Sequence, residues 1–248
     1  VAVSRVAPFA RFAPVRVDRD ARVFILTGAG ISAESGIRTF RDANGLWEDN
    51  RIEDVASPEG WARDAVRVWR FYAQRRAQAM TCEPNAAHVA LARLEAQIGA
   101  RLFLCTQNVD PLHERAGSSR VVHMHGELLR SRCDRCARPD FTDDGIYDTA
   151  ASIPACACGG RIRPHICWFG ETPFHLDAIG DALDACDVFI TVGSSGVVHP
   201  AAGFVRRVRE RGARAVYVGP EAPENANVFD ECRLGTAGEV LPTLFDAV

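Results

Sequence analysis

Lysine is absent from this chain of 248 residues: all 29 basic side chains are arginine, which we read as the mark of a GC-rich genome. No apolar run approaches the roughly 18 residues that suggest a membrane span. The amino-terminal residues lack the apolar core of a secretory signal. A cytoplasmic protein with no membrane association is therefore expected. The first twenty residues are rich in Arg, Ala and Pro and mimic a transit peptide, but a loosely ordered arm over residues 1–13 is the expectation adopted. A net charge of -3 gives no general attraction to nucleic acid, so a basic partner would be recognised locally. No internal repeat or low-complexity linker is visible. What is present is ample apolar content, 47%, enough for a full core in a main domain with a smaller inserted module.

The run from Val23 to Trp47 carries the most information. Val23, Phe24, Ile25 and Leu26 have the pattern of a central strand in a parallel sheet. Gly28, Gly30 and Ala33, with Ala29 between the glycines, fit G-x-G-x-x-G/A. Such a turn lets the backbone approach a pyrophosphate seated on the N–H groups that open the next helix. The same spacing also arises for steric reasons alone. Here the helix after the turn breaks early, because Gly36 to Asp42 has loop composition with one exposed aromatic, Phe40.

Further on, Ser57 and Pro58 read as a helix cap and first helical residue. Trp61, Ala65, Val68, Trp69 and Tyr72 follow at helical spacings through Met80, as a helical module inserted in the sheet domain. Pro84 and Asn85 start another helix, leading to a strand over Arg101 to Thr106. Val188 to Val192 and Ala215 to Val218 supply later strands, each after a helical stretch. This alternation implies an α/β fold with a doubly wound parallel, Rossmann-like sheet.

Cys133 and Cys136 form C-x2-C, and Cys156 and Cys158 form a tighter C-x-C about twenty residues later, beside Gly159 and Gly160. In a reducing compartment four such thiolates suit a closed, structural Zn2+ site better than disulfides. Cys82, Cys105, Cys167, Cys186 and Cys232 lie in apolar or helical contexts and read as inert core thiols.

Five further stretches fall in order. They are the glycine loop through Arg41; Thr106-Gln107-Asn108-Val109-Asp110; His123-Met124-His125-Gly126-Glu127; Arg163-Pro164-His165 through Trp168-Phe169-Gly170-Glu171; and Gly193-Ser194-Ser195-Gly196-Val197-Val198-His199-Pro200-Ala201-Ala202. They resemble the cofactor loop and the TQN(I/V)D, HGE, RPHVVWFGE and GTS-x-x-V-x-PAA segments of the sirtuins, the NAD-dependent protein lysine deacylases. GISAESGIRTFR with GLWE, and Pro84 to His88, are most similar to the bacterial CobB-type branch. The resemblance implies a zinc ribbon at the cysteine pairs. It also implies a division into a Rossmann-like domain (14–37, 81–125 and 165–248), a helical module with the cofactor loop (38–80) and the ribbon (126–164).

The resemblance also implies a chemistry. The oxygen of an acyl-lysine attacks the nicotinamide ribose of NAD, nicotinamide leaves, and a base deprotonates a ribose hydroxyl so that the alkylimidate resolves. His125 would be that base, an imidazole with a pKa near working pH. A histidine just after a short strand is otherwise more often structural, and His123 shows why, having no claim of its own. Gln107, Asn108, Val109 and Asp110 would line the ribose and nicotinamide pocket, with Asn108 and Asp110 in catalysis. Phe40 would shield the ribose, and Ser32, Arg41 and Trp47 would belong to the cofactor loop. Gly193, Ser194 and Ser195, and more weakly Asn225 and Ala237, would meet the adenosine end. Ser194 replaces the usual threonine and keeps its hydroxyl. Pro111 departs from the family's Asn or Gly and fits a rigidified helix start.

The acyl peptide would add as a strand between Phe169, Gly170 and Glu171 on one side and Gly196, Val197 and Val198 on the other. Tyr72 and Arg75 match the Y-x-x-R pair of sirtuins that accept malonyl and succinyl lysine. Three residues apart, they share a helix face, and guanidinium binds carboxylate by paired hydrogen bonds. A solvated arginine beside a core tyrosine is the plainer alternative. Acetyl and acidic acyl groups are both expected as substrates, on partner proteins, since the chain has no lysine of its own. Mono-ADP-ribosyl transfer, NAD hydrolysis or a non-enzymatic zinc-ribbon module that binds NAD are the competing functions. Arg130, Arg132, Arg135 and Arg138 lack interleaved aromatics and are offset by Asp134, Asp140, Asp143 and Asp144, so no specific nucleic-acid partner is expected. A monomer is expected.

Overall fold

The apolar runs become strands whose alternate residues face opposite sides, and this alternation builds the main domain. The computed structural model describes residues 13–15, 17–38, 46–47 and 50–245. Phe40, Arg41, the side chain of Trp47 and most of the amino-terminal arm lie outside the described residues. In chain order the elements are β1 (Val23–Thr27), β2 (Leu46–Trp47), β3 (Asn50–Arg51), α1 (Ile52–Val55), α2 (Pro58–Arg63), α3 (Ala65–Thr81), α4 (Ala86–Ile98), β4 (Leu102–Thr106), α5 (Leu112–Arg115) and β5 (Val121–His123). Then come β6 (Gly126–Cys133), β7 (Phe141–Thr142), β8 (Ile162–Ile166), α6 (Leu176–Ala185), β9 (Val188–Val192), α7 (Ala201–Glu210), β10 (Arg214–Gly219), β11 (Glu231–Leu234) and α8 (Ala237–Val240).

Six parallel strands form one sheet in the order β11-β10-β9-β1-β4-β5. Val23 and Ile25, with Leu104, Ile190 and Val216, face α4 and the carboxy-terminal Leu241 and Leu244. Phe24 and Leu26, with Cys105 and Phe189, face Ile179 and Leu183 of α6 and Phe204, Val205 and Val208 of α7. Both faces are thus covered, as expected of a doubly wound sheet. Each large side chain buried this way contributes roughly 1.5–3 kcal/mol. The strand order changes direction at β1, so ligands are expected outside the carboxyl ends of β1, β4 and β9.

A second core joins the helices α1–α3 to the three-stranded sheet β7-β6-β8. Trp61, Trp69 and Tyr72 pack there against Leu128, Ile162, Ile166 and Trp168. Trp69 Nε1 donates to the Ile162 carbonyl at 3.0 Å. Buried Arg76 donates to the carbonyls of Leu128 at 2.6 Å and Gly145 at 2.8 Å, pinning α3 to the small sheet.

The helical spacing that runs from Pro58 to Met80 is divided in the structure. Ser57 Oγ accepts from the Gly60 amide at 2.9 Å and starts α2. At Asp64 the backbone leaves the helical region (φ -149°, ψ 83°), and its carboxylate accepts from the Arg67 amide at 2.9 Å to start α3. A side chain that caps a helix competes with continuation through it, which is why periodicity alone reads as one helix. Among the described residues no helix is long and apolar enough to cross a membrane.

Candidate functional site

The turn after β1 departs from the expectation of a phosphate-binding helix. Two short 3-10 turns follow it, Ala29–Ile31 and Ala33–Ser35, and Gly36 ends them with φ 90°. The glycines answer to a neighbouring loop. A Cβ on Gly28 would stand 2.9 Å from the Gly193 carbonyl oxygen, and one on Gly30 2.7 Å from Gly193 Cα. The Gly30 amide donates to the Gly193 carbonyl at 2.9 Å, so the loops after β1 and β9 touch along their backbones.

The loop after β4 completes the same edge. Gln107 N donates to the Thr27 carbonyl at 2.9 Å, and Gln107 Nε2 to Ser194 Oγ at 2.9 Å. Asn108 Nδ2 donates to Ser32 Oγ at 3.1 Å, and that hydroxyl donates to Asp110 Oδ2 at 3.1 Å. Burial pushes the Asp110 carboxyl up, against the opposing bonds from the Leu112 amide and Ser32. Pro111 stands at the start of α5, where Leu112 N donates to Asp110 Oδ1 at 3.1 Å. Leu128 N fixes the Val109 carbonyl at 2.8 Å.

His125 sits just past β5. Its Nδ1 lies 3.0 Å from the Gln107 carbonyl oxygen, which can only accept, so Nδ1 carries the proton and Nε2 keeps its lone pair. Burial holds its pKa below the ordinary 6.5, and the Gln107 bond opposes this only in part. The ring is therefore neutral at neutral pH.

The strand-forming segment beside it starts where Cys167 N donates to the His125 carbonyl at 2.8 Å. Trp168 Nε1 then donates to Tyr72 Oη at 3.1 Å, bringing α3 to the same neighbourhood. Tyr72 is fully buried, and burial raises its pKa. Arg75 is 6% exposed, stacks 4.0 Å over the Phe71 ring, and has its pKa lowered to about 10 by burial and by the charge of Arg38. An arginine this buried is not the solvated side chain of the plainer alternative. Phe169 and Val197 are exposed, as a docking edge requires. The Glu171 carboxylate is engaged internally, accepting from Arg163 at 2.7 and 2.9 Å, Arg132 at 3.2 Å and Trp168 N at 2.8 Å.

Asn225 adjoins this group, lining one cavity with Ser194 and Gly196, and Ala237 lies behind it. The Asn225 amide turns beneath α7, donating to the Ala202 carbonyl at 3.0 Å, and a Cβ on Gly196 would meet its Oδ1 at 2.5 Å. Ala237 is buried at the start of α8, in the main core. The residues that sequence reasoning passed over lie at the same edge or behind it. Gly219 ends β10 beside Gly193, a position that its place at a strand end marks. Glu114 meets His123 and no local pattern announces it, whereas Arg163, which holds Glu171, opens a motif already read from the sequence.

Cys133, Cys136, Cys156 and Cys158 place their Sγ atoms within 4.8 Å of one another. The Cys133–Cys158 and Cys136–Cys156 sulfurs are 3.5 and 3.8 Å apart. Sulfurs bound to one tetrahedral zinc at ~2.3 Å stand ~3.8 Å apart, so the cluster fits that ion. The amides of Arg135 and Cys136 donate to Cys133 Sγ at 3.3 and 3.4 Å and favour a thiolate there. Three cysteines outside the cluster differ: burial holds Cys105 above its ordinary range and pushes Cys167 and Cys186 to about 11.

A doubly wound parallel sheet whose carboxyl edge gathers a glycine turn, a Gln-Asn-x-Asp loop and a neutral histidine defines a nucleotide-binding protein, and its four-cysteine cluster is compatible with a structural zinc. Residues 28–200 match the Sir2 family, and the chain belongs to that family. It is 51% identical over 228 residues to the NAD-dependent protein deacylase of Shewanella oneidensis, covering 91% of this chain and 93% of that one. The corresponding protein of Caulobacter vibrioides is 50% identical over 224 residues, with 89% and 94% covered. Among solved structures, a Sir2 homologue bound to ADP-ribose superposes with a TM-score of 0.83 at 39% identity, covering 91% of each chain. A Sir2 homologue–NAD complex gives 0.82 at 37% identity, covering 94% of each.

Proposed function

We propose that this protein is an NAD-dependent protein lysine deacylase in which His125 is the general base, and that it removes acetyl and acidic acyl groups. The observation that carries the reading is the 3.0 Å contact between His125 Nδ1 and the Gln107 carbonyl oxygen. The Gln107 carbonyl keeps the proton on Nδ1, so Nε2 is the atom left to accept one from a ribose hydroxyl. NAD, when bound, supplies the electrophilic ribose carbon and nicotinamide as the leaving group. The residues of the site fit it: the loops after β1, β4 and β9 meet at one edge, with the Asn108–Ser32–Asp110 chain behind them. That chain holds the Asn108 amide and the Asp110 carboxylate in fixed orientations, so little reorganisation is needed when substrate arrives. Gly28, Ala29, Gly30, Gly193, Ser194 and Ser195 then serve the cofactor, and Phe169, Gly170, Gly196 and Val197 the peptide backbone. Glu171 serves by holding its own turn rather than by touching substrate.

The acyl range rests on Tyr72 and Arg75. Arg75 lies on the same α3 face as Tyr72, buried against Phe71, and a guanidinium there can bind the carboxylate of a succinyl or malonyl group through paired hydrogen bonds. The chain then divides into the sheet domain (14–37, 81–125 and 165–248) and a smaller unit of helical module (38–80) and ribbon (126–164), with Ile166 and Trp168 packing across the last boundary into the smaller unit's core. The test is mass spectrometry of matched acetyl-lysine and succinyl-lysine peptides with and without NAD. NAD-dependent loss of both groups with O-acyl-ADP-ribose formed is expected. Acetyl loss alone would remove the role given to Tyr72 and Arg75. Nicotinamide release that ignores the peptide would replace the reading with NAD hydrolysis.

A further inference from the structure

His125 has a neighbour two residues away whose surroundings call for the opposite charge state. His123 is 6% exposed, and both of its ring nitrogens face atoms that accept hydrogen bonds. Nε2 lies 2.8 Å from a carboxylate oxygen of Glu114, and Nδ1 lies 3.1 Å from the Asn108 carbonyl oxygen. A neutral imidazole has one N–H and would leave one contact as two facing lone pairs. An ionised Glu114, 40% exposed at its side chain, leaves the imidazolium as the form that satisfies both.

We infer that Glu114 and His123 form a carboxylate–imidazolium clamp that positions Asn108, and through it Ser32 and Asp110, for the deacylation reaction. The clamp rests on the deacylase reading only for the reaction it serves. Its reach follows from the bonds already described. His123 holds the Asn108 carbonyl from below, the Thr106 hydroxyl holds the Asn108 amide at 3.0 Å, and the Asn108 side chain leads to Ser32 and Asp110. Glu114 comes from α5, whose first residue N–H also binds Asp110, so one short helix supports both ends of the loop.

The titratable groups facing His123 are Glu114 on α5, Asp110 in the loop before it, Glu127 on β6 and His113 on α5. Burial alone lowers its pKa, but the Glu114 bond and charge, then Glu127 and the Asn108 carbonyl, reverse the sign and raise it. His113 is held well below 6.5 by burial and by its neighbours' charge, so it is neutral and does not compete for the proton. Two histidines in one short motif thus divide the work. His125 stays neutral as a base, and His123 stays charged as a positioning residue.

The experiment joins 15N-histidine NMR with kinetics on full-length, zinc-loaded protein, using His123→Gln to assign the ring signals. In the wild type, His123 is expected to carry protons on both nitrogens at neutral and mildly alkaline pH. In Glu114→Gln its pKa should fall, and the Asn108 side-chain amide signals should shift. The kcat for acyl-peptide should drop roughly tenfold, as the loss of one charge-assisted hydrogen bond implies, with the peptide KM unchanged. A new limb should appear in which activity declines as pH rises through the lowered His123 pKa, and Glu114→Asp should restore part of the loss. A neutral His123 in the wild type overturns the clamp whatever the kinetics. An imidazolium with unmoved Asn108 signals and unchanged kcat in Glu114→Gln overturns the positioning role. A wild type without acyl-peptide turnover overturns the deacylase reading and the positioning role in that reaction, whereas the ring signals still decide the clamp's charge.

Discussion

If His125 is the base proposed above, its chemistry depends on one hydrogen bond, because a carbonyl acceptor at Nδ1 decides which nitrogen can take a proton. Replacing His125 by Tyr should abolish acyl-dependent turnover while leaving a folded protein with full zinc content, read by product assay and metal analysis. The pH profile follows from the sign of the shift. A base whose pKa lies below 6.5 is neutral above it, so activity should rise with pH through a value lower than 6.5 and then stay level, with no loss near neutrality. Arg75→Met should depress desuccinylation far more than deacetylation in a paired peptide assay; equal losses would mean that α3 had only been disturbed. His125, Asn108, Asp110 and the four cysteines were all legible in the sequence, since each belongs to a compact motif. Glu114 was not, because its meaning arises only when α5 faces β5.

At the scale of elements, the glycine turn shows how one sequence pattern serves a different contact. G-x-G-x-x-A fits a phosphate-binding turn, yet in the fold both glycines leave room for the backbone of the β9 loop. Gly30→Ala would put a methyl within 2.7 Å of Gly193 Cα, so one of the two loops must move. A loss of roughly 1–3 kcal/mol in stability is expected, the usual cost of overpacking. A higher KM for NAD should accompany it, measured by denaturant titration and by kinetics. The division of the Pro58–Met80 segment is a second case. Helical spacing persists across Asp64, but a carboxylate there satisfies the Arg67 amide and begins a new helix. Asp64→Ala should cost about 0.5–2 kcal/mol, as removal of a cap does elsewhere, seen as a lower midpoint in urea.

Among the described residues, buried clusters cover both faces of the large sheet and a third fills the smaller unit, to which the four-cysteine cluster belongs. Cys133 and Cys156 pack in the core that also holds Trp61, Trp69 and Trp168. Stripping zinc with a chelator should therefore alter tryptophan fluorescence strongly while the far-UV signal of the six-stranded sheet persists, so unfolding should cease to be two-state. Coincident loss of both signals would show that the large sheet and the smaller unit fold as one. Sequence by itself determined the parallel sheet, the helical module, the cysteine cluster and the order of the functional motifs, because apolar period, ligand spacing and short motifs are local properties of a chain. Tertiary structure decided what those motifs touch. Ser32 meets Asp110 across 78 positions of sequence, Gly30 meets Gly193, and His123 finds Glu114. Charge state and orientation are set by such neighbours, and neighbours distant in sequence exist only once the strands have been ordered into a sheet.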